Sequence, residues 1–172
     1  DYVLSEAEKN MNYVLMCSCT AVNDVVLEAL EAKDESDIPT QEIITKVKSL
    51  EQVTDHMLIL HLQTPRIQRL RFLAGQSLSL ALKNDLLADY PIASCPCDDR
   101  NLLFHIPVVA EGDADNAFTE TLLNDTKKGD AITVIGPQGH FLFNEDSKRP
   151  QCYLAFGTGF APIKSLIEHA MA

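Results

Sequence analysis

The residues best suited to chemistry stand near the end of the printed sequence. There a short apolar run, Cys152–Phe156, leads into Gly157-Thr158-Gly159, and a helical pattern follows. A strand, a glycine turn and a helix together place a phosphate-bearing ligand against the free N–H groups of a helix N-terminus. Glycine is suited to such a turn because a Cβ would hinder both the turn and the approach of the ligand. The predicted helix has four apolar residues spaced to share one face: Ile163, Leu166, Ile167 and Ala170.

The cysteines are a second set of chemically capable residues: Cys17, Cys19, Cys95, Cys97 and Cys152. Their odd number and the two Cys-x-Cys pairs are not typical of a secreted disulfide framework, so we expect a reducing, cytoplasmic setting. Two such pairs would supply four thiolates for zinc, but metal sites generally have wider spacing. We therefore interpret Cys19, Cys95 and Cys97 as incidental and predict no metal site.

Composition and charge restrict the possible functions. The chain has 172 residues, of which 46% are hydrophobic, which is enough for a real core. Its formal net charge of −11 argues against nucleic acid or an anionic membrane as the main partner. The acidic surface either steers a basic partner or maintains solubility, and we favour the second interpretation. No apolar run approaches the roughly 20 residues that span a bilayer, and no leader opens the sequence.

The first 45 residues lack the pattern of a complete domain. Two short β-like runs, Tyr13–Thr20 and Asp24–Glu28, lie within residues 1–30. Alone they are too small to bury a core, so they belong either to a larger upstream domain or to an arm packed on the residues after them. Residues 31–45 carry charge without periodicity, and we interpret them as a linker.

Residues 46–143 show the pattern of an antiparallel barrel. Short strands at near-regular spacing, with a single helix inserted late, are typical of that architecture. The helix is predicted over Asn116–Asp125, with Phe118 and Leu122 sharing a face. The predicted strands are Lys46–Thr54, His56–Gln63, Ser77–Leu82, Tyr90–Ser94, Leu102–Val109 and Ala131–Ile135.

The order and spacing of these segments resemble those of the ferredoxin–NADP reductase-like flavoproteins. Within that family they are most similar to the bacterial oxygenase reductases and the ferredoxin-fused reductases. The resemblance extends over roughly residues 46–172 and rests on six motifs: Phe72-x-Ala-Gly-Gln76, Ala88-Asp-Tyr-Pro-Ile-Ala-Ser94, Leu102-Leu-Phe-His-Ile106, Ala117-Phe-Thr119 ahead of Leu122, Gly136-Pro-Gln-Gly-His-Phe141 and Phe156-Gly-Thr-Gly-Phe-Ala-Pro162.

The resemblance implies a fold and a domain order. Residues 46–143 would form a Greek-key FAD-binding barrel, mainly β with one short helix. Residues 151–172 would be the first β-α unit of an NAD(P)-binding α/β domain, incomplete here, and residues 1–30 a remnant of a ferredoxin-like domain. Cys17 matches the last ligand of a 2Fe–2S cluster, but no cysteine precedes it, so the other ligands would have to lie further upstream.

The resemblance also implies an activity. In the family, NAD(P)H hands a hydride to FAD, and electrons then leave singly toward an iron–sulfur protein or domain, while the protein positions the cofactors. We therefore expect an NAD(P)H-dependent FAD oxidoreductase as part of a larger reductase, and no turnover by these 172 residues alone. The alternative is a non-catalytic barrel module that has lost tight FAD binding.

That alternative arises from the flavin motif, which in the family is Arg-x-Tyr-Ser or Arg-x-Tyr-Thr. The matching residues are Ala88, Asp89, Tyr90 and Pro91, so only the aromatic residue is retained. Loss of the arginine removes a bidentate pair with the FAD pyrophosphate, Asp89 is expected to add repulsion, and Pro91 offers neither a hydroxyl nor an N–H. A charge-assisted bond is worth about 1.5–3 kcal/mol, which lowers FAD affinity by roughly tenfold to a hundredfold. Tyr90 either contacts the flavin or fills the barrel edge.

Other site residues come from the remaining motifs. Asn116-Ala117-Phe118-Thr119 matches the family's Gly-x-x-Ser/Thr, where a helix N-terminus meets the pyrophosphate; an ordinary capped helix is the alternative. The residues expected to contact NAD(P) are Gly157, Thr158, Gly159, Phe160 and Pro162. His105 and His140 lie near matched motifs, but we favour a strand-filling role for both.

Overall fold

The structure, a computed structural model, describes residues 34–83, 86–108, 116–144 and 147–172, together with residues 19–24 and a few others before position 34. The chain divides into two compact units, residues 1–31 and 32–172. Cys17 lies outside the described residues, as does most of the two runs predicted within residues 1–30. Across the described part of the chain, no helix has the length and apolar character required to cross a membrane.

Six antiparallel strands form one sheet in the order β4-β3-β6-β1-β2-β5. An isolated bridge between Ile92 and Phe104 connects the chain just beyond β4 to β5, so that the two outer strands of the sheet meet and the sheet curves into a barrel. This confirms the predicted fold, a mainly β antiparallel barrel. The strands are β1 (Gln41–Thr54), β2 (Met57–Gln63), β3 (Ser77–Ala81), β4 (Leu87–Pro91), β5 (Asn101–Pro107) and β6 (Ala131–Gln138).

Alternating side chains build the core of the barrel. On β2 the residues Leu58, Leu60 and Leu62 are fully buried, while their neighbours along the strand are only partly buried. Their partners across the pair with β5 are Ile106, Phe104 and Leu102, which are fully buried as well. Burying one such side chain contributes roughly 1.5–3 kcal/mol, so this inward face supplies much of the driving force for closure.

The first strand begins earlier than the sequence predicted. β1 starts at Gln41, so residues 41–45, predicted as part of the linker, belong to the sheet. There Ile43 and Thr45 point inward and are buried, and they continue the period-two pattern into Val47. The Gln41 side chain also exchanges two hydrogen bonds with the backbone of Arg71, at 2.7 and 3.0 Å. Charged residues around positions 41–45 make this short alternation difficult to recognise in the sequence.

The fourth strand was predicted three residues too late. β4 ends at Pro91, and the predicted continuation, residues 92–94, leaves the sheet edge. The Ile92 N–H bonds to the Gln76 carbonyl and the Ala93 N–H bonds to the Leu103 carbonyl, so this stretch turns across the barrel. The other four predicted strands agree with β2, β3, β5 and β6 apart from one to three residues at their ends.

Two α-helices occur among the described residues from position 34 onward. α1 covers Asn116–Asp125, as predicted, with Phe118 and Leu122 both buried. α2 covers Phe160–Met171 and buries Ile163 and Leu166. The predicted face was partly wrong, because Ile167 is 42% exposed and Ala170 is exposed too.

The strand predicted over Cys152–Phe156 is absent, and that segment is irregular. A strand needs hydrogen-bonded neighbours, and no described strand pairs with this one.

Candidate functional site

The predicted flavin residue Tyr90 lies at the inward face of β4. Its side chain is 6% exposed and belongs to the main hydrophobic core. Its ring packs on Phe118 of α1 with centroids 5.4 Å apart and a tilt of 45°. The structure therefore joins two of the predicted FAD residues, from two different motifs, in one aromatic contact. In this contact Tyr90 acts as a filler of the barrel edge, while its contact with a flavin stays a prediction.

The neighbours of Tyr90 divide between the two faces of the strand. Ala88 lies on the same side as Tyr90 and packs against the core. Asp89 lies on the opposite side, where its carboxylate accepts a hydrogen bond from the Ser79 hydroxyl. The Asp89 carboxylate therefore points away from Ala88 and is already partnered, which would weaken the repulsion expected toward an FAD pyrophosphate at Ala88; that repulsion stays a prediction. Pro91 ends the strand opposite Ser77 and is partly buried.

The four residues matched to the second flavin motif lie at the start of α1 and point in two directions. Asn116 and Ala117 lie at the surface, and the Asn116 amide donates to Glu120 Oε1 at 2.8 Å. Phe118 and Thr119 are buried. The Thr119 hydroxyl donates to the carbonyl of Pro107 at 3.4 Å, so it attaches α1 to the end of β5. The Thr119 side chain is thus directed into the protein, while Ala117 on the first turn is exposed.

The Gly-Thr-Gly segment forms a single 3₁₀ turn that leads directly into α2. Gly157 has φ +55, which favours glycine, and a Cβ built on Gly157 or on Gly159 would meet no atom within 4 Å. The turn lies against β5 of the barrel. Two exposed aromatic side chains, Phe156 and Phe160, flank it, while Thr158 and Pro162 are partly buried. The backbone here is open to a ligand.

The chain beyond β4 anchors the helix after that turn. The Ser165 hydroxyl, fully buried, donates to the Ser94 carbonyl at 2.7 Å. The Lys164 ammonium donates to the Ala93 carbonyl at 3.1 Å and pairs with Glu168. Glu168 Oε2 in turn accepts from the Cys95 N–H at 3.2 Å. Sequence reasoning missed these residues; a serine on the apolar side of the predicted helix was the available signal.

The two histidines near matched motifs have different surroundings. His105 lies on β5 with 9% of its surface exposed. Burial, and secondarily the positive charge of Lys164, lower the pKa of His105 below its ordinary value of 6.5. His140 lies outside the strands, is exposed and pairs with Glu35, so its predicted strand-filling role is wrong. His105 is thus a buried, predominantly neutral strand residue beside the anchor of α2, which matches the favoured interpretation.

The cysteines behave differently from the prediction. Cys95 and Cys97 are joined by a disulfide, so their interpretation as incidental was wrong. Cys19 and Cys152 are free and exposed. Among the residues that the structure describes, no group of three or more His, Cys, Asp or Glu side chains is arranged to hold a metal ion.

Comparison with known protein families identifies the family to which the barrel belongs. The sequence profile of the oxidoreductase FAD-binding domain family matches residues 44–143. That range contains most of β1 and all of β2 to β6, together with α1. The match ends before the Gly-Thr-Gly turn, so it concerns the barrel itself.

Curated proteins resemble nearly the whole chain. The CDP-6-deoxy-L-threo-D-glycero-4-hexulose-3-dehydrase reductase of Yersinia pseudotuberculosis is 32% identical over 96% of this chain and 48% of its own length. Reductase component 1 of the terephthalate 1,2-dioxygenase of Comamonas sp. is 30% identical over 90% of this chain and 45% of its own length. The chain spans about half the length of the curated relatives it matches.

Solved structures show the same fold at lower identity. The Amycolatopsis cytochrome P450 reductase GcoB aligns over 98% of this chain and 50% of its own, with a TM-score of 0.68 and 22% identity. Phthalate dioxygenase reductase, described as a modular structure for electron transfer from pyridine nucleotides to 2Fe–2S, aligns over 76% of this chain and 40% of its own. Its TM-score is 0.62 at 20% identity.

Proposed function

This chain belongs to the oxidoreductase FAD-binding domain family, and from that premise we propose that it is the flavin-binding part of a reductase that carries electrons from NAD(P)H through FAD toward an iron–sulfur centre. The whole reductase is an NAD(P)H-dependent FAD oxidoreductase in this proposal. Two curated relatives are named as reductases of larger enzyme systems, which supports the proposed direction of electron flow toward a protein partner.

One observation carries the proposal beyond the family match: the open Gly-Thr-Gly turn lies against β5 of the barrel. A nucleotide bound at the turn would therefore lie beside a flavin-family domain. Hydride transfer requires the two reacting groups to be held together, and a fixed turn on a rigid barrel provides that positioning. We propose that Gly157, Thr158, Gly159, Phe160 and Pro162 contact the nicotinamide nucleotide.

The residues proposed to bind FAD supply less charge than the family pattern. The exposed first turn of α1, at Asn116 and Ala117, offers backbone N–H groups and a helix dipole to the pyrophosphate. Tyr90, Pro91, Phe118 and Thr119 form or border the aromatic edge of the barrel beside it. FAD, when bound, supplies hydride acceptance and single-electron release. This chain would bind and orient it, with Ala88 leaving the pyrophosphate without its arginine partner.

A second candidate function is a barrel module that no longer binds FAD tightly. The observation in its favour is the burial of Tyr90 in the core against Phe118, since a buried ring has little surface left for a flavin. The replacement of the family's arginine and serine by Ala88 and Pro91 points the same way.

Purified protein distinguishes the two candidates. We expect a yellow preparation, or a colourless one that takes up added FAD with quenching of the flavin fluorescence. Binding should be saturable and should weaken with salt, because pyrophosphate recognition is partly electrostatic. A colourless protein that takes up no FAD at saturating concentration would establish the module without tight flavin binding.

Restoring the family motif tests the register of the site. Ala88→Arg with Pro91→Ser should tighten FAD binding by roughly tenfold to a hundredfold, because the arginine adds a charge-assisted pair with the pyrophosphate. Fluorescence titration measures the change. The matched control is Asp89→Asn, which removes a charge on the opposite strand face and should leave the affinity unchanged. No gain from the double variant would mean that residues 88–91 do not face the flavin.

The remaining parts of the proposal concern the setting. We propose that the protein is cytoplasmic, because an odd number of cysteines is not typical of a secreted disulfide framework. A nicotinamide nucleotide would be the electron donor, and an iron–sulfur protein or domain the acceptor. Cys17 would serve a 2Fe–2S cluster only together with cysteines from outside this sequence.

A further inference from the structure

The Cys95–Cys97 disulfide closes the smallest ring that a Cys-x-Cys sequence allows, with only Pro96 between the two cysteines. The stabilisation that a disulfide gives by restricting the unfolded chain grows with the length of the loop it closes. A ring of this size therefore contributes little as a structural staple. Pro96 restricts the backbone and keeps the two cysteines adjacent, with their Cα atoms 5.1 Å apart, so the bond can reform after it is broken.

The two sulfur atoms differ in access. Cys95 is 4% exposed, whereas Cys97 is exposed. An incoming thiolate can therefore reach Cys97 and not Cys95. The Cys97 N–H points at Cys95 Sγ from 3.1 Å, so a thiolate formed on Cys95 would accept a hydrogen bond at once. Stabilising the leaving thiolate accelerates thiol–disulfide exchange.

The pair opens into a cleft that also carries charge. The cationic or titratable side chains Lys48, His61 and Lys164 line it, together with the carboxylates Asp98 and Glu168. The cleft has a volume of about 470 Å³, which admits a small thiol such as a tripeptide. The two lysines are balanced by the two carboxylates, so the lining has no excess negative charge to repel an incoming thiolate.

We propose that Cys95-Pro96-Cys97 is a redox-active dithiol/disulfide site, exchanging with thiol reductants, whose state is communicated to α2. In the reductive direction a thiolate attacks Cys97 Sγ, the Cys95–Cys97 bond breaks, and Cys95 leaves as a thiolate that takes up a proton. The first step leaves a mixed disulfide between Cys97 and the reductant. A second thiolate then attacks the reductant's sulfur, and Cys97 leaves as a thiolate that also takes up a proton. Two thiols are oxidised to one disulfide, and the pair gains two electrons and two protons.

Communication with α2 depends on the contacts of the same loop. The Cys95 N–H donates to Glu168, and the two preceding carbonyls, of Ala93 and Ser94, accept from Lys164 and Ser165. Opening the ring frees the backbone at the end of this anchor. The inference does not rest on the proposed function, because it requires neither flavin nor nucleotide.

The redox state is tested on the whole chain with Cys17, Cys19 and Cys152 replaced by serine, so that only the pair remains. The folded protein is equilibrated in mixtures of oxidised and reduced glutathione, quenched with acid, alkylated and analysed by peptide mass spectrometry. We expect Cys95 and Cys97 to change together between one disulfide and two thiols. Two free thiols in fully oxidised glutathione, or an intact disulfide in fully reduced glutathione, would overturn the proposal.

The order of attack is tested by removing one sulfur at a time in the same background. In Cys95→Ser the remaining Cys97 should form a mixed disulfide with oxidised glutathione quickly. In Cys97→Ser the remaining Cys95 should react at least about tenfold more slowly, because reactivity follows exposure as well as thiolate character. Equal rates would contradict the assignment of Cys97 as the attacked sulfur.

Hydrogen–deuterium exchange tests the communication with α2. Reduction of the pair should raise the exchange of the α2 amides several-fold, because the loop that anchors the helix loosens. The control is Cys95→Ser with Cys97→Ser in the same reductant, which should show no change on adding it. Unchanged α2 exchange on reduction of the pair would overturn that part of the proposal.

Discussion

The barrel and the segment over residues 151–172 obtain their stability in different ways. The barrel pairs its six strands with one another and buries a continuous core, so its hydrogen bonds and apolar contacts are largely internal. The later segment forms one turn and one helix, and it leaves Leu154, Phe156 and Met171 more than 80% exposed. It is held chiefly through α2, by contacts with the loop after β4.

This difference matters for the two ligands of the proposed function. The FAD side is built on strands whose positions the core determines, and sites on rigid elements keep their geometry well. The nucleotide side depends on a turn attached through α2, by a few hydrogen bonds and by the buried side chains Ala161, Ile163 and Leu166. Mutations in the barrel should therefore change the global free energy of unfolding, whereas mutations at the contacts of α2 should change only the local protection of that helix.

The largest effect should come from the barrel core. Phe104→Ala removes a fully buried ring in the middle of β5 and should lower the free energy of unfolding by about 3–5 kcal/mol. Urea denaturation followed by circular dichroism measures it. The matched control is Phe156→Ala, which truncates the same side chain at 82% exposure and should cost less than about 0.5 kcal/mol. Similar costs for the two variants would show that the segment is as tightly packed as the barrel.

A glycine at the contact between the two regions should have the next largest effect. Gly75 has φ +92, and a Cβ there would lie 1.9 Å from the Phe141 carbonyl oxygen and 3.3 Å from Leu166 of α2. Gly129 has φ +95 and open space around it, so Gly129→Ala measures the backbone cost alone, about 1–2 kcal/mol. Gly75→Ala should cost clearly more in the same denaturation assay, because the Phe141 backbone must move as well. Equal costs would mean that this backbone yields freely.

The attachment of α2 should be sensitive to Ser165. Ser165→Ala removes the hydroxyl that bonds the Ser94 carbonyl at 2.7 Å inside the protein, which should cost about 1–3 kcal/mol. Hydrogen exchange should show the loss chiefly in α2, with the strands of the barrel retaining their protection. Ser147→Ala, whose hydroxyl bonds the Arg149 N–H on the exposed loop, is the control and should leave α2 unchanged. Loss of protection throughout the barrel would contradict the separation of the two regions.

The smallest effect concerns pH. Burial and Lys164 lower the pKa of His105, so the folded state binds its proton less readily than the unfolded state. The stability associated with neutral His105 is complete above the unfolded pKa of about 6.5 and is lost as pH falls below it. His105→Gln should therefore flatten the fall in the free energy of unfolding between about pH 7 and 5, measured by urea denaturation at each pH, by at most about 1.4 kcal/mol per pH unit. His56→Gln, at the exposed hairpin turn, is the control and should keep the wild-type slope.

Much of the barrel was predictable because its signals are local. Leu58, Leu60 and Leu62 alternate with other residues over a run long enough to identify β2, and Asn116–Asp125 has both a helical period and a glycine beyond its end. The start of β1 was missed because Gln41–Thr45 has only a short alternation amid charged residues. The predicted strand before the Gly-Thr-Gly turn failed for a different reason: strand formation depends on partners elsewhere in the chain.

The residues proposed for the site come from the sequence, and their contacts with ligands stay predictions; their orientations come only from the structure. Motif matching found Tyr90, Asn116 and the Gly-Thr-Gly turn, but it did not show that Tyr90 packs on Phe118 or that Asp89 faces away from Ala88. Those orientations depend on the register of β4 against β3, which long-range pairing sets.

The order of motifs in the sequence indicated the family. Local patterns predicted the antiparallel barrel, α1 and the glycine turn ahead of a helix, because alternation, capping and turn residues act between near neighbours. Long-range packing determined which face of α2 is buried, that Lys164, Ser165 and Glu168 attach it to the loop after β4, and that Cys95 and Cys97 are bonded with one sulfur buried and one exposed. Contacts such as that from Ser94 to Ser165 join residues far apart in the chain. Their energies depend on how the completed barrel presents its surface, which no local pattern encodes.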